Sequence, residues 1–362
     1  MEENRRQYGP DALRILSILF VQLLHTQGLG GLLPAAERLS LNYSIAWLVD
    51  IIAYSAVDCF VLMAGYFGYT HKTRYAHLAG LWIQAAFYSV TLTLFFTLRH
   101  STFSPLGLVK SFLPLSNGYY WYFTAYFGMY LLSPMLNAAV RAMGKRETII
   151  ALTAVLLFFC TIPCVVGDLF GLSQGYSVLW FCVVYLVGAA LRKYDAAERF
   201  SSKKLALGAA ILILVTWLSK LLMETVLLRG FGIDTGASVL IRYLSPTVLG
   251  TGICYMLISV RLKPGERVSR IIQRITPCVF GAYLICDHPL VKKYAVVDRF
   301  AWLASGSVLR MVAYTLGIAV LSLLLCLCVE WVRLLLFRPL RIPQTLRRWE
   351  DKLRKKLSVI SE

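Results

Sequence analysis

The chain has 362 residues, 58% of them hydrophobic and only 15% charged, with a formal net charge of +18. Soluble domains carry closer to ~25% charged residues, so the composition excludes a soluble protein and leaves room for about ten membrane spans of ~20 apolar residues each. The basic residues fall in short loops and a tail, where membrane topology accounts for them, and no nucleic-acid partner is expected.

The apolar stretches predict an all-α, polytopic integral membrane protein with spans at 12–34, 44–66, 78–98, 119–140, 148–167, 175–191, 205–228, 238–260, 275–291 and 308–332. The transmembrane domain takes residues 1–337 and a basic amphipathic tail takes 338–362. Most of the 37 lysines and arginines lie on one side of this threading, from Arg5 and Arg6 through Lys72 and Arg74 to the tail. By the positive-inside rule both termini are then cytoplasmic. The first apolar stretch contains Arg14 and His25 and lacks a small-residue cleavage site, so it is expected to be a retained helix rather than a signal peptide. The nine cysteines form no CxxC and no Cys/His spacing, so neither a disulfide framework nor a metal site is expected.

Ionisable residues inside spans are expensive, and each is a functional hypothesis by default. The first span opens YGPDALRILSILFVQLLHTQG. Eleven residues advance a helix by about three turns, which brings His25 over Arg14 and roughly 16 Å deeper. Asp11 lies one turn before Arg14 on the same stripe and can pair with it. A cation at one mouth and an imidazole halfway across suggest a path for an anionic cofactor with a long arm.

In the second span, Gly65 would allow close helix approach. Asp58 would orient a histidine or line a wet cavity, while Asp50 is expected near the outer interface. The following loop puts His71, Lys72, Arg74 and His77 on Arg14's side, as a topogenic loop or as phosphate ligands. Tyr119, Tyr120, Trp121 and Tyr122 open the fourth span, where an interfacial aromatic belt is expected; the same rings would also serve as a sugar-stacking platform. Lys220 and Glu224 are spaced as a neutralising i, i+4 pair. The ninth span is short, and Asp287 and His288 are expected near its outer surface. In the tail, Ile342, Leu346, Trp349, Leu353 and Leu357 recur at helical spacing opposite a cationic face, which predicts a helix lying on anionic lipid.

These segments together resemble family 3 membrane acyltransferases, the bacterial O-acetyltransferases that modify cell-surface polysaccharides. Arg14 and His25 match the family's Arg, ten intervening residues and His, with Asp11 upstream. CFVLMAGYF, LWIQAAFY, YWYFTAYFGMYLLSPMLN, GYSVLWFCVVYLVGAALRKY and FGAYLICDHPLV match later segments in order. The resemblance departs where Ala64 replaces a usual Ser and where Cys286 replaces a usual His, with His288 two positions later.

The resemblance implies transfer of an acyl group, usually acetyl, from cytoplasmic acyl-CoA to a hydroxyl of a surface glycan or its lipid-linked precursor at the bacterial plasma membrane. It casts His25, Arg14 and Asp11 as the catalytic set, and Arg14, Lys72, Arg74 and His77 as ligands of the acetyl-CoA phosphates. Asp58, Tyr119, Trp121, Tyr122 and His288 become acceptor-side candidates. No metal is expected, the partners are acyl-CoA, the glycan and membrane lipid, and working as a monomer or a homodimer stays open. Two rival readings are a glycolipid or small-acid transporter, with the charged stripe as its path, and a sensing or scaffolding domain with degenerate chemistry.

Overall fold

The computed structural model describes residues 7–360 except 103, 117, 169 and 234–236, and for 357–360 the backbone only. Arg5 and Arg6, used above for orientation, and the Leu357 side chain lie outside the described residues. The described residues form helices and turns, with no strand among them.

α1 (Tyr8–Leu24) starts with Pro10 in its first turn, where the missing N–H costs nothing. It passes into a π-helical turn, His25–Leu29, and a last short helix, Leu32–Ala35. α2 (Leu41–Tyr54) is capped by the Ser40 hydroxyl, which accepts from the Tyr43 N–H at 3.1 Å. It breaks at Ser55 and resumes as α3 (Ala56–Gly68). Then follow α4 (Tyr75–Arg99), α5 (Trp121–Ala142), α6 (Lys145–Leu156), α7 (Val178–Lys193) and α8 (Ser202–Thr225). α9 (Pro246–Arg261), α10 (Glu266–Ile275), α11 (Val279–Cys286), α12 (Val308–Phe337) and α13 (Ile342–Ile360) complete the chain.

Among the described residues, six helical stretches are long and apolar enough to cross a membrane: Tyr8–Ala35, Leu41–Gly68, Tyr75–Arg99, Lys145–Val165, Ser202–Gly230 and Val308–Leu340. The protein is thus an all-helical, multi-pass membrane protein. The other four expected spans differ in a way that has a physical reason. α5 is a continuous helix of 22 residues whose apolar run is interrupted by polar and aromatic side chains. α7 has 16, about 24 Å at the helical rise. From Trp180 to Ala190 it is buried on nearly all faces, so its length is set by protein neighbours rather than by lipid.

The eighth span does not begin at 238, because Pro246 fixes the helix start and 237–245 form turns instead. The ninth expected span is interrupted. α11 has eight residues, about 12 Å, and stops inside the protein before His288 and Pro289. α10, amphipathic and lodged in the basic loop before it, is an element the apolar pattern did not announce.

Side-chain contacts gather the helix ends into two sets. At one end, Arg141 donates to the Tyr69 carbonyl (2.8 Å), and Lys193 to the Val140 and Met143 carbonyls (2.7 and 2.6 Å). Arg261 donates to Ala197 O (2.6 Å) there, and a Cβ on Gly9 would meet the carbonyls of Ser259 and Leu262. This end therefore holds the start of α1 and the last turns of α3, α5, α7 and α9. At the other end, the Asp298 and Phe300 N–H groups donate to the carbonyls of Leu29 and Gly30 (3.0 and 2.8 Å), and Asn42 donates to Ala304 and Gly306. At that end the buried Lys220 and Glu224 pair at 2.6 Å, Lys220 lies 4.5 Å from the Trp47 ring centroid, and the exposed Arg38 reaches Glu224 at 3.7 Å.

The main core joins α3, α5, α7 and α9. α3 and α7 meet backbone to backbone, as Gly65 suggested: a Cβ there would lie 2.1 Å from the Tyr185 carbonyl, and one on Gly188 2.3 Å from that of Leu62. Asn137 fastens α5 to this pair, donating to Gly68 O at 3.0 Å and accepting from the Tyr185 hydroxyl at 3.2 Å.

The tail helix lies on the start of α4. Glu350 accepts from the N–H groups of Tyr75 and Ala76, both at 3.2 Å, and so caps a helix start that has no cap of its own. Arg74 pairs with Asp351 at 2.9 Å, and Arg354 bridges Glu350 (2.6 Å) and the Thr73 carbonyl (2.8 Å). Of the predicted apolar stripe, Ile342 and Leu346 are half-buried, whereas Trp349 and Leu353 remain exposed.

Candidate active site

A cavity of about 780 Å³ runs through the bundle. Arg14, His77 and Thr276 line it at the end that holds the start of α1, and Leu33, Trp47 and Ser238 line it toward the other end. His25 stands on its wall between them. The periodicity argument for α1 thus describes the structure: Arg14 and His25 share one helix face and one cavity. His25 also begins the π turn, a geometry that widens the helix and turns side chains off the regular stripe.

The carboxylate nearest His25 comes from the broken α11. Asp287 Oδ1 lies 3.9 Å from His25 Nε2, beyond hydrogen-bond range but within Coulombic contact. Asp287 is itself fixed twice: the Tyr283 hydroxyl donates to Oδ2 at 3.1 Å, and Lys292 Nζ donates to Oδ1 at 2.7 Å. Tyr283 in turn accepts from the Phe123 N–H at 3.3 Å, so the start of α5 is tied into the same network. His25 Nδ1 is buried with no hydrogen-bond partner among the described residues. An imidazole, a carboxylate and an ammonium therefore converge on one wall of the cavity.

Arg14 holds Asp11 at 2.5 Å and lies over the Phe67 ring at 5.8 Å. Asp11 is buried beneath it and holds the guanidinium in place. His77 reaches the cavity, but Lys72 and Arg74 do not line it; Arg74 is engaged by Asp351 of the tail. Trp121 and Tyr122 face the cavity rather than lipid, which differs from the expected belt. Trp121 stacks on Tyr243 (5.8 Å between centroids, 21° between planes) and abuts Tyr176 at 4.3 Å, making an aromatic wall. Tyr119 lies off the cavity against the His288 ring, 5.6 Å away.

Asp58 is fully buried at the α3–α7 contact, accepts from Trp180 Nε1 at 3.3 Å, and is not on the cavity wall. His288 is also off the wall and fully buried, not at an outer surface. Its Nδ1 accepts from the Leu290 N–H at 3.2 Å, which caps the turn where α11 ends. Cys286, at the usual histidine position, is buried with its thiol toward the Tyr283 carbonyl at 3.4 Å. Ala64 does line the cavity, so the small residue at that position faces the site.

The residues that sequence reasoning missed are Asp287 as the partner of His25, Lys292 beside it, and Asp50, which is buried but lines the cavity rather than sitting at an interface. The available signal was an Asp in an otherwise apolar stretch, with Pro289 two residues later marking the end of its helix.

Fold and site define a polytopic membrane protein with an imidazole–carboxylate pair set in a transverse cavity whose mouth carries a guanidinium. The chain belongs to acyltransferase family 3: the family's acyltransferase domain matches residues 7–331, nearly the whole transmembrane part. No curated protein and no solved structure matches the chain.

Proposed function

We propose that this membrane acyltransferase moves an acyl group, acetyl in the first instance, from cytoplasmic acyl-CoA to a hydroxyl of a surface polysaccharide or its lipid-linked precursor, in the plasma membrane of a bacterium. The observation that carries the reading is the cavity shared by Arg14, His25 and Asp287. In this reading the chain crosses about ten times, with short or broken crossings at α7, α9 and α11, and the helix ends near Arg14 face the cytoplasm with both termini. The basic residues gathered at that end support this orientation.

The chemistry follows from the side chains. The acceptor hydroxyl gives its proton to His25 as its oxygen attacks the thioester carbonyl. The tetrahedral intermediate collapses with cleavage of the C–S bond, and the CoA thiolate takes the proton back from the imidazolium. Asp287 stabilises that imidazolium, and Lys292 supplies a positive charge beside the developing oxyanion. Arg14, positioned by Asp11, attracts the donor's phosphates at the cytoplasmic mouth, with His77 beside it. The aromatic wall of Trp121, Tyr122, Tyr176 and Tyr243 offers flat apolar faces for a sugar ring, and Asp50 offers a hydrogen-bond acceptor.

The test uses sealed proteoliposomes with radiolabelled acetyl-CoA on one side and extracted host glycan on the other. Label appearing on the glycan in alkali-labile ester linkage supports the reading. Glycan that stays unlabelled, with acetyl-CoA intact on its own side, refutes it.

A further inference from the structure

Beside the cavity mouth lies a second hollow of about 420 Å³, between α4, the end of α12 and the start of α13. His77 and Leu81 line both, so the two spaces adjoin through α4. Phe87 and Phe337, 4.9 Å apart and edge to face, form its apolar floor with Leu334. Its rim carries Arg338, Arg341 and Arg347. Arg333 below them is held by both oxygens of Glu330 at 2.6 and 2.7 Å, but none of the three rim arginines has a carboxylate partner among the described residues. These guanidiniums are exposed, and the tail's attachment to α4 through Glu350, Asp351 and Arg354 holds Arg347 one turn away from that clamp.

We propose that this groove receives the nucleotide portion of the acyl-CoA donor, with its phosphates on Arg338, Arg341 and Arg347 and its adenine against Phe87 and Phe337. The inference rests on the acyl-CoA reading above and extends it to residues outside the family domain, since the matched segment ends at residue 331. Three features support it. The cavity mouth offers one guanidinium, Arg14, already shared with Asp11, whereas the donor carries several phosphate charges. The groove adds three cations free of acidic partners. The lining shared at His77 and Leu81 sets the groove next to the cavity, so a polyanionic head held in the groove would have its narrow arm directed toward His25, roughly 16 Å deeper than Arg14 along α1. The C-terminal tail is then a working part of the donor site.

The experiment measures CoA binding to the full chain in lipid nanodiscs, for wild type and for the Arg338→Ala/Arg341→Ala/Arg347→Ala variant, with dephospho-CoA as second probe. Wild type is expected to bind CoA more tightly than dephospho-CoA, and the triple variant to lose roughly 30-fold or more in CoA affinity together with that preference. Lysine at all three positions is expected to recover part of the affinity, which separates charge from folding; a triple variant that does not fold is replaced by Arg341→Ala alone, read the same way. Wild type that binds CoA while the variants bind it equally well overturns the groove assignment and leaves the donor reading standing. Wild type with no affinity for any CoA species overturns the donor reading and the groove assignment with it. Unchanged CoA binding with loss of a co-purified anionic phospholipid, read by native mass spectrometry, assigns the groove to lipid and overturns the proposal.

Discussion

Replacing Asp287 with Asn removes one charge from the site while keeping the side chain's volume and an oxygen able to accept from the Tyr283 hydroxyl. If His25 becomes an imidazolium during transfer, its attraction to a carboxylate oxygen 3.9 Å away is about 4 kcal/mol at an effective dielectric constant of ~20. Lys292 shares that oxygen at 2.7 Å and cancels part of the attraction, so roughly half is a sensible lower bound. At 1.36 kcal/mol per decade, about 2 to 4 kcal/mol corresponds to a fall in kcat/KM of roughly 30- to 1,000-fold. The assay is chromatographic quantification of CoA released from acetyl-CoA, which avoids thiol reagents in a chain with nine cysteines of its own. Asp287→Glu should keep more activity than Asp287→Asn. Wild-type turnover in a well-folded Asp287→Asn protein would refute the pairing of His25 with Asp287.

Arg14→Ala should raise the apparent KM for acyl-CoA several-fold with a smaller change in kcat, as initial rates over a donor series would report. Gly65→Ala forces a methyl group against the Tyr185 carbonyl and should destabilise the α3–α7 contact by about 1–3 kcal/mol, seen as a lower Tm in detergent. Burial draws the Glu350 carboxyl's pKa up, but hydrogen bonds from Arg354 and from the Ala76 and Tyr75 amides outweigh it and hold it below the ordinary 4.5. A carboxyl depressed in the folded state stabilises tail docking fully above pH 4.5 and loses that contribution as pH falls through its lower folded value. Hydrogen exchange across 342–356, corrected for the intrinsic effect of pH, should therefore stay protected at neutral pH and rise only below pH 4.5. Glu350→Gln should show the raised exchange already at neutral pH.

What the sequence made legible was local. The spacing of Asp11, Arg14 and His25 on one helix is a matter of period, and period survives folding. Gly65 announced a close contact because only a missing Cβ permits one. The His25–Asp287 pair joins positions far apart along the chain, and nothing in either segment's own pattern points to the other. Asp287 looked like a wet helix end because an apolar run of that length reads as a span; Pro289 instead ends α11 inside the protein. The aromatic residues at the start of α5 read as a lipid belt since rings at a helix end serve both uses, and only the neighbouring Tyr176 and Tyr243 reveal the inward one. The pairing of Arg74 with Asp351 of the tail was equally illegible, because it joins a basic loop to an acidic residue some 277 positions away.

The most direct test of the account is acceptor-dependent CoA release from acetyl-CoA by the purified protein in lipid, wild type against His25→Ala. The account predicts release by wild type only when host glycan is present, and background rates from a normally folded His25→Ala protein. Equal release from both, or none from wild type with any acyl donor and glycan supplied, would contradict it.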